Sequence, residues 1–174
     1  ASTNLEKGVD EECRELSDEE IVRLVESFGE AAERCERSGF DGVEVHGAHG
    51  YLICQFLGTR TNRRDDRWGG GLEGRSRFLR EVLREIRDRT SEGFLLSVRI
   101  SPEHDVGITL ADSLELALMI REWGVDMIHL SCWDAFAGPQ GDPGDPRTIT
   151  HRFREVLPDE FPLISTGSVW TEKD

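Results

Sequence analysis

The sequence is poor in positive charge, in lysine and in tyrosine, and it has no long apolar run. Its 174 residues include 35 acidic and 21 basic side chains, which give a formal net charge of −14. This charge disfavours nucleic acid and anionic membrane surfaces as partners, because both are negatively charged. No stretch has the roughly 20 consecutive apolar residues of a membrane span, and the first residues lack the pattern of a signal peptide. We therefore expect a cytoplasmic protein with neither a membrane nor a nucleic-acid partner.

The sequence also lacks any CxxC pair. Its cysteines are scattered, so a zinc knot or an iron–sulfur cluster built from this chain alone is not expected. We expect free thiols in a reducing compartment rather than a disulfide framework. The four positions are Cys13, Cys35, Cys54 and Cys132.

Apolar spacing predicts helices that alternate with strands. The first helix should start at a capping box formed by Ser17 and Glu20. Residues 1–16 are expected to form a loop, 47–74 to be mostly irregular and 134–147 to form a long loop. The predicted helices span 17–38, 78–86, 110–123 and 149–157, and the predicted strands span 40–46, 94–100, 125–130 and 161–166.

The predicted strands are apolar on both faces, a pattern that favours a parallel α/β architecture. A complete (β/α)8 barrel has about 250 residues and eight strands, whereas about four strands are predicted here. We therefore expect a single domain over residues 1–174 that forms a partial (β/α)8 TIM barrel. It would consist of a loop over 1–16 and βα units over 17–174, without the N-terminal strands and the last strand. Residues 171–174 are typical of the first turn of a further helix.

The segment VHGAHGY at residues 45–51 carries the most chemical information. It places His46 and His49 three residues apart and Tyr51, the single tyrosine, two residues later. All three side chains should emerge together where the first strand ends. Two neutral hydrogen-bond donors beside a weak acid can polarise a carbonyl and deliver a proton. A metal site that includes Glu44 is the alternative, but His49 is displaced along the loop and no further cluster completes a ligand set, so no metal is expected.

Polar groups also follow the other predicted strands, and Ser131 and Cys132 end the third. Arg99 stands between two apolar residues of the second strand. It should meet either an anion or electron-rich heterocycle, or form a buried ion pair with Glu44 or another carboxylate of the barrel. Gly167 and Ser168 follow the fourth strand, where they either bring N–H groups to a phosphate or form an ordinary βα turn.

Charged residues crowd the stretch from position 60 to 75. It mixes arginines, aspartates, a tryptophan and glycines. Such a mixture predicts an ordered loop held by arginine–carboxylate pairs.

Four motifs together resemble the old yellow enzyme family of FMN-dependent oxidoreductases. They are HGAHGYLICQFL, TNRRDDRWGG, LEGRSRF and SVRISPE, and the resemblance runs from about Leu16 to the end of the chain. It implies a (β/α) barrel that binds FMN at its carboxyl end, of which this chain would supply strands four to seven.

The resemblance also implies roles for six residues. His46 and His49 match the pair that binds the substrate carbonyl in this family, and Tyr51 matches the usual proton donor. Arg99 matches the arginine near the pyrimidine edge of the flavin. Gly167 and Ser168 match the region near the FMN phosphate.

The implied activity is the reduction of activated C=C bonds, in enones or enoyl thioesters, with NADH or NADPH as hydride donor. The partner would be a small α,β-unsaturated molecule. A relative of the 2,4-dienoyl-CoA reductases, a metal-dependent barrel hydrolase, and a non-catalytic half-barrel that folds or forms a homo-oligomer are the alternatives.

The sequence departs from the family pattern at four positions. Gly58 and Thr59 stand where Ser-Pro is common, and Gly71 and Gly74 stand where Ser and Asn are common. Added glycine raises the entropic cost of ordering a loop. We therefore expect these loops to be less rigid.

Overall fold

The computed structural model describes residues 1–2, 4–5 and 12–171, which include a four-stranded parallel sheet with helices packed against it. Two very short strands precede this sheet. In chain order the elements are β1 (Asn4–Leu5), β2 (Glu12–Cys13), α1 (Asp18–Arg37), β3 (Gly42–Gly47), α2 (Leu52–Leu57), α3 (Leu72–Arg89), β4 (Leu95–Ile100), α4 (Leu110–Glu122), β5 (Met127–Ser131), α5 (Ile149–Val156) and β6 (Leu163–Thr166).

The sheet has the strand order β3–β4–β5–β6, and every neighbouring pair is parallel. Its register pairs His46 with Arg99, and Arg99 with His129. The prediction of an α/β fold with about four parallel strands is therefore confirmed. Because the strands are parallel, their carboxyl ends lie at one edge of the sheet.

One face of the sheet carries the apolar core, formed by residues such as Val45, Val98 and Leu130. The opposite face, called the polar face below, is not apolar, which corrects the expectation for these strands. Alternate residues along a strand point to opposite faces. The polar face carries Glu44, His46, Ser97, Arg99, His129, Ser131 and Thr166, together with the apolar residues Leu95, Met127 and Ile164.

Helix α1 begins where the capping box predicts. Ser17 Oγ accepts a hydrogen bond from the Glu20 amide at 3.3 Å, and the Glu20 carboxylate accepts one from the Ser17 amide at 2.9 Å. Both bonds satisfy N–H groups that an uncapped helix end leaves without partners.

Aromatic contacts anchor helix α2 to the core. The ring of Phe78 on α3 lies 6.3 Å from the ring of Phe28 on α1 and 4.6 Å from that of Phe56 on α2, measured between centroids. Such ring pairs contribute about 0.5–1.5 kcal/mol beyond their buried area. Since α2 follows directly after Tyr51, this packing also restrains the end of the histidine motif.

Two predictions of secondary structure were wrong, and one helix was missed. Residues 1–16 are not all loop, because β1 pairs antiparallel with β2, and the rest of that segment at 3 and 6–11 lies outside the described residues. The segment 47–74 is mostly irregular, as predicted, but it also contains α2 and the start of α3. Helix α2 was missed because its six residues are apolar on nearly all sides and show no helical period. Strand β3 was predicted to begin at Phe40 but begins at Gly42. The Phe40 side chain is 63% exposed.

The expected helical turn at 171–174 lies largely outside the described residues. Within the part of the chain that is described, no helix has both the length and the apolar character needed to cross a membrane.

The charged loop after α2 is ordered by arginine–carboxylate pairs, as predicted. Arg64 binds Asp66 at 2.6 Å, and Arg67 binds Asp18 at 2.9 Å. Asp18 also accepts a hydrogen bond from the indole of Trp68, whose side chain is buried. The loop is thereby tied to the first turn of α1.

The chain after α2 is also held in place. The Thr59 amide bonds to the Gly107 carbonyl at 3.2 Å, and the Arg60 amide bonds to the Val106 carbonyl at 2.9 Å. Gly58 packs so closely against Val106 that a Cβ at this position would overlap the Val106 carbonyl oxygen. Glycine at position 58 therefore permits close backbone packing, and it does not make this loop less rigid.

Replacing Gly74 and Gly71 with the residues common at these positions in the old yellow enzyme family should affect stability differently. An added Cβ at Gly74 would overlap the Gly69 carbonyl oxygen, whereas nothing lies within 4 Å of one at Gly71. We expect Gly74→Asn to lower the free energy of unfolding by about 1–3 kcal/mol. Gly71→Ser, at the N-cap of α3, should be neutral or stabilising by a few tenths of a kcal/mol. Urea unfolding measures both, and equal stability of the two variants would contradict this packing.

Candidate active site

A cavity of about 530 Å³ lies at the carboxyl ends of the four parallel strands. His49 and Tyr51 line it from the segment after β3, Arg99 from β4, Ser131 from β5 and Gly167 from the segment after β6. His46 and Ser168 are not among its lining residues. The carboxyl edge of a parallel sheet is where α/β folds build their sites, because the loops that follow the strands meet there.

The histidine motif comes together as a three-ring cluster. The rings of His46 and His49 lie 5.1 Å apart between centroids and are nearly perpendicular, at 79°. The ring of Tyr51 lies 5.5 Å from that of His46. His46 lies on β3, His49 in the turn that follows, and Tyr51 is the N-cap of α2. As predicted, these three side chains lie together at the end of a strand.

The turn between β3 and α2 holds His49 in an unusual backbone conformation. Its φ is 62°, in the left-handed region that non-glycine residues rarely adopt. The Ser101 hydroxyl accepts a hydrogen bond from the His49 amide at 3.0 Å. This bond to the segment after β4 offsets part of the backbone strain, which is typically about 1–3 kcal/mol.

Ser131 links two of the predicted site residues. Its hydroxyl oxygen lies 2.6 Å from Nε2 of His49 and accepts a hydrogen bond from Nη2 of Arg99 at 2.9 Å. In this conformation Nε2 of His49 is occupied. A carbonyl bound between the two histidines would therefore contact Nδ1 of His49 or displace Ser131.

Arg99 is only partly satisfied. Its Nε is buried and finds no acceptor among the residues that the structure describes. A buried donor without a partner costs about 1–3 kcal/mol. No ion pair joins Arg99 to Glu44 within the described residues, so the predicted alternative role as a structural ion pair is not seen. Arg99 lines the cavity, and its Nε is a donor for which the described residues supply no acceptor.

Glu44 has other partners. Its carboxylate lies 3.1 Å from Nδ1 of His129 and accepts a hydrogen bond from the Ser97 hydroxyl at 2.9 Å. Nε2 of His129 lies 3.2 Å from the Thr166 hydroxyl. These contacts join all four strands across the polar face, directly beside His46 and Arg99.

Sequence reasoning missed His129 and gave Ser131 no role of its own. A signal for both was present, because alternate positions along β5 point to the same face as Arg99. The sequence alone does not supply the register that brings them into contact with Arg99 and Glu44.

Two groups at the site have perturbed pKa values. Desolvation and then the positive charge of Arg99 lower the pKa of His46, while the charge of Glu44 acts in the opposite direction. Burial raises the pKa of Cys132, which lines the cavity as a thiol. A neutral imidazole at His46 is the state that donates one hydrogen bond without carrying charge.

Gly167 and Ser168 differ in their surroundings. Gly167 has a φ of 129°, and its carbonyl accepts a hydrogen bond from the Ala135 amide at 3.0 Å. The Ser168 hydroxyl donates to the Trp133 carbonyl at 3.3 Å. The Ser168 side chain is therefore directed to the loop after β5, and a phosphate contact from these two residues stays a prediction.

No cluster of three or more potential metal ligands was found within the described part of the chain. The ring of His46 contacts those of His49 and Tyr51, and Glu44 is bound to His129 and Ser97.

Comparison with known proteins places this geometry in context. Residues 1–173 match the model of the NADH:flavin oxidoreductase / NADH oxidase family. The probable NADH-dependent flavin oxidoreductase YqiG of Bacillus subtilis is 36% identical over 168 residues, which are 93% of this chain and 45% of that protein. The NADH:acrylate oxidoreductase of Vibrio harveyi is 32% identical over 169 residues, which are 92% of this chain and 17% of that protein.

The solved structure of the old yellow enzyme homologue from Zymomonas mobilis has a TM-score of 0.77 and 25% sequence identity, over 98% of this chain and 49% of that chain. The chain thus spans less than half the length of each of these three relatives. Its four parallel strands correspond to part of a TIM barrel.

The electrostatic arrangement predicts how His46 titrates. Arg99→Gln should raise the pKa of His46, because the substitution removes a positive charge that disfavours the imidazolium. Glu44→Gln should instead lower the pKa of His46 below its wild-type value, because it removes a negative charge that favours the imidazolium. NMR titration of the imidazole protons measures both shifts, with Arg80→Gln on the exposed side of α3 as a charge-matched control. A pKa of His46 that is the same in Arg99→Gln and Arg80→Gln would contradict the coupling.

Proposed function

Because the chain belongs to the NADH:flavin oxidoreductase / NADH oxidase family, we propose that it contributes to an FMN-dependent site that reduces activated C=C bonds with NADH or NADPH. The substrates would be small α,β-unsaturated carbonyl compounds, either enones or enoyl thioesters. The chain supplies the carbonyl-binding residues, the proton donor and part of the cofactor contacts, and the activity belongs to the whole protein.

The unpaired Nε of Arg99 is the observation that carries this proposal. The pyrimidine edge of a flavin presents carbonyl oxygens and one ring nitrogen that accept hydrogen bonds, so it matches the missing acceptor. The residues present therefore fit FMN. Arg99 would hold its pyrimidine edge, and Gly167 with Ser168 would lie towards its phosphate. When bound, FMN supplies the hydride, received from NADH or NADPH, that is delivered to the β-carbon of the substrate.

His46 and His49 would bind the carbonyl oxygen of the substrate. Negative charge grows on this oxygen as the alkene is reduced, so the two imidazoles stabilise the transition state more than the bound substrate. Removing one such donor typically costs about 10²–10³ in rate. The lowered pKa of His46 keeps this ring a neutral donor.

Tyr51 would then deliver a proton to the α-carbon. Its side chain is 54% exposed and lies beside His46 at the cavity. A positioned acid of this kind contributes about 10²–10⁴ in rate. As the N-cap of α2, Tyr51 has a backbone position that the anchored helix holds.

The proposal is tested by flavin binding and by turnover. The whole protein should show flavin absorbance after incubation with FMN, and it should consume cyclohexenone with NADPH as the reductant. Arg99→Gln should weaken FMN binding, while Arg80→Gln on the exposed surface should not. A protein that binds no flavin would contradict the proposal.

Tyr51→Phe separates the two halves of the reaction. It should leave the reduction of bound FMN by NADPH unchanged and lower the rate of alkene reduction by about 10²–10⁴. Stopped-flow absorbance of the flavin measures both rates in one protein, so the NADPH reaction serves as the internal control. Full alkene reduction by Tyr51→Phe would remove Tyr51 from the role of acid.

A further inference from the structure

Glu103 joins the two loops that wall the cavity. It lies in the segment between β4 and α4, and its carboxylate accepts hydrogen bonds from the amides of Gln140 at 2.9 Å and Gly141 at 3.2 Å. These amides belong to the long loop between β5 and α5. Glu103 and Gln140 both line the cavity, and so the carboxylate is part of its wall.

The segment just before Glu103 is anchored. Ser101 accepts the hydrogen bond from the His49 amide, and the Pro102 carbonyl accepts one from the buried Ser113 hydroxyl at 2.7 Å. Glu103 follows directly after these two anchored residues. The same short segment therefore supports the His49 turn and carries a carboxylate into the cavity.

The charges around this end of the cavity are mainly negative. Apart from histidines, Arg99 and Glu103 are the charged residues that line the cavity in the described part of the chain. A second cavity of about 400 Å³ shares Glu103 and Gln140 and adds Asp105, Asp142 and Arg152. Arg152 is already paired, with Asp145 at 2.6 Å and with Glu155 at 3.1 Å.

We propose that Glu103 is a specificity-determining residue that disfavours substrates carrying a carboxylate, so that the site prefers neutral α,β-unsaturated carbonyl compounds. This inference rests on the function proposed above, in which Arg99 is engaged by the cofactor. A like charge several ångströms away in a partly hydrated cavity changes binding by roughly three- to tenfold. The two backbone hydrogen bonds keep the carboxylate from turning away when such a substrate enters.

The test compares one cyclohexenone bearing either a methyl ester or the free carboxylate, in the FMN-loaded protein. Glu103→Gln should raise kcat/KM for the carboxylate relative to the ester by roughly three- to tenfold, through KM rather than kcat. Dividing the variant's ratio by that of the wild type cancels the intrinsic reactivity of the two substrates. Glu92→Gln, exposed at the opposite end of β4, is the charge-matched control and should leave the ratio unchanged.

Two further readouts complement this comparison, and the first needs no variant. In the wild type, added salt should raise kcat/KM for the carboxylate relative to the ester, because salt screens the repulsion. Without FMN, hydrogen exchange at the Gln140 and Gly141 amides should be faster in Glu103→Gln than in Glu92→Gln.

The possible failures are distinguishable. Turnover of the ester with a carboxylate-to-ester ratio that neither Glu103→Gln nor salt changes would overturn the role of Glu103 alone. A wild type that turns over neither compound would overturn the proposed function and this inference with it.

Discussion

The parallel register of β3, β4 and β5 is the constraint on which the site depends. It sets His46, Arg99 and His129 side by side on one face of the sheet. Three groups that can carry positive charge are costly neighbours unless carboxylates, hydroxyls or a ligand compensate them. Glu44 and Thr166 bind His129, and Ser131 binds Arg99 through one nitrogen only. The buried Nε of Arg99, which has no acceptor among the described residues, is what turns this face from a structural network into a candidate binding site.

The loops after the strands convert that face into a cavity. Ser101 supports the left-handed turn at His49, and the anchoring of α2 restrains Tyr51. Glu103 then ties the loop after β5 to the segment after β4. Ser101 and Glu103 follow β4, and they bind residues that follow β3 and β5. The geometry of the motif therefore depends on contacts far apart in sequence, although its three side chains lie within six positions of each other.

Much of this structure could be predicted from the sequence. The alternation of helices and strands, the capping box at Ser17 and the emergence of His46, His49 and Tyr51 at the end of a strand follow from local patterns. Helix α2 and the short β1–β2 pair were missed because each is too short or too uniformly apolar to show a period. Ser131 and His129 were missed as partners because their contacts depend on register, and no local pattern chooses between a ligand and Glu44 as the partner of Arg99.

The central claim is that Arg99 meets a flavin at the carboxyl end of this sheet. A crystal structure of the whole protein with FMN tests it most directly. The account predicts that Nε of Arg99 donates to the pyrimidine edge of the flavin, while Glu44 remains bound to His129. A flavin bound elsewhere, with Arg99 turned to form an ion pair with Glu44, would contradict it.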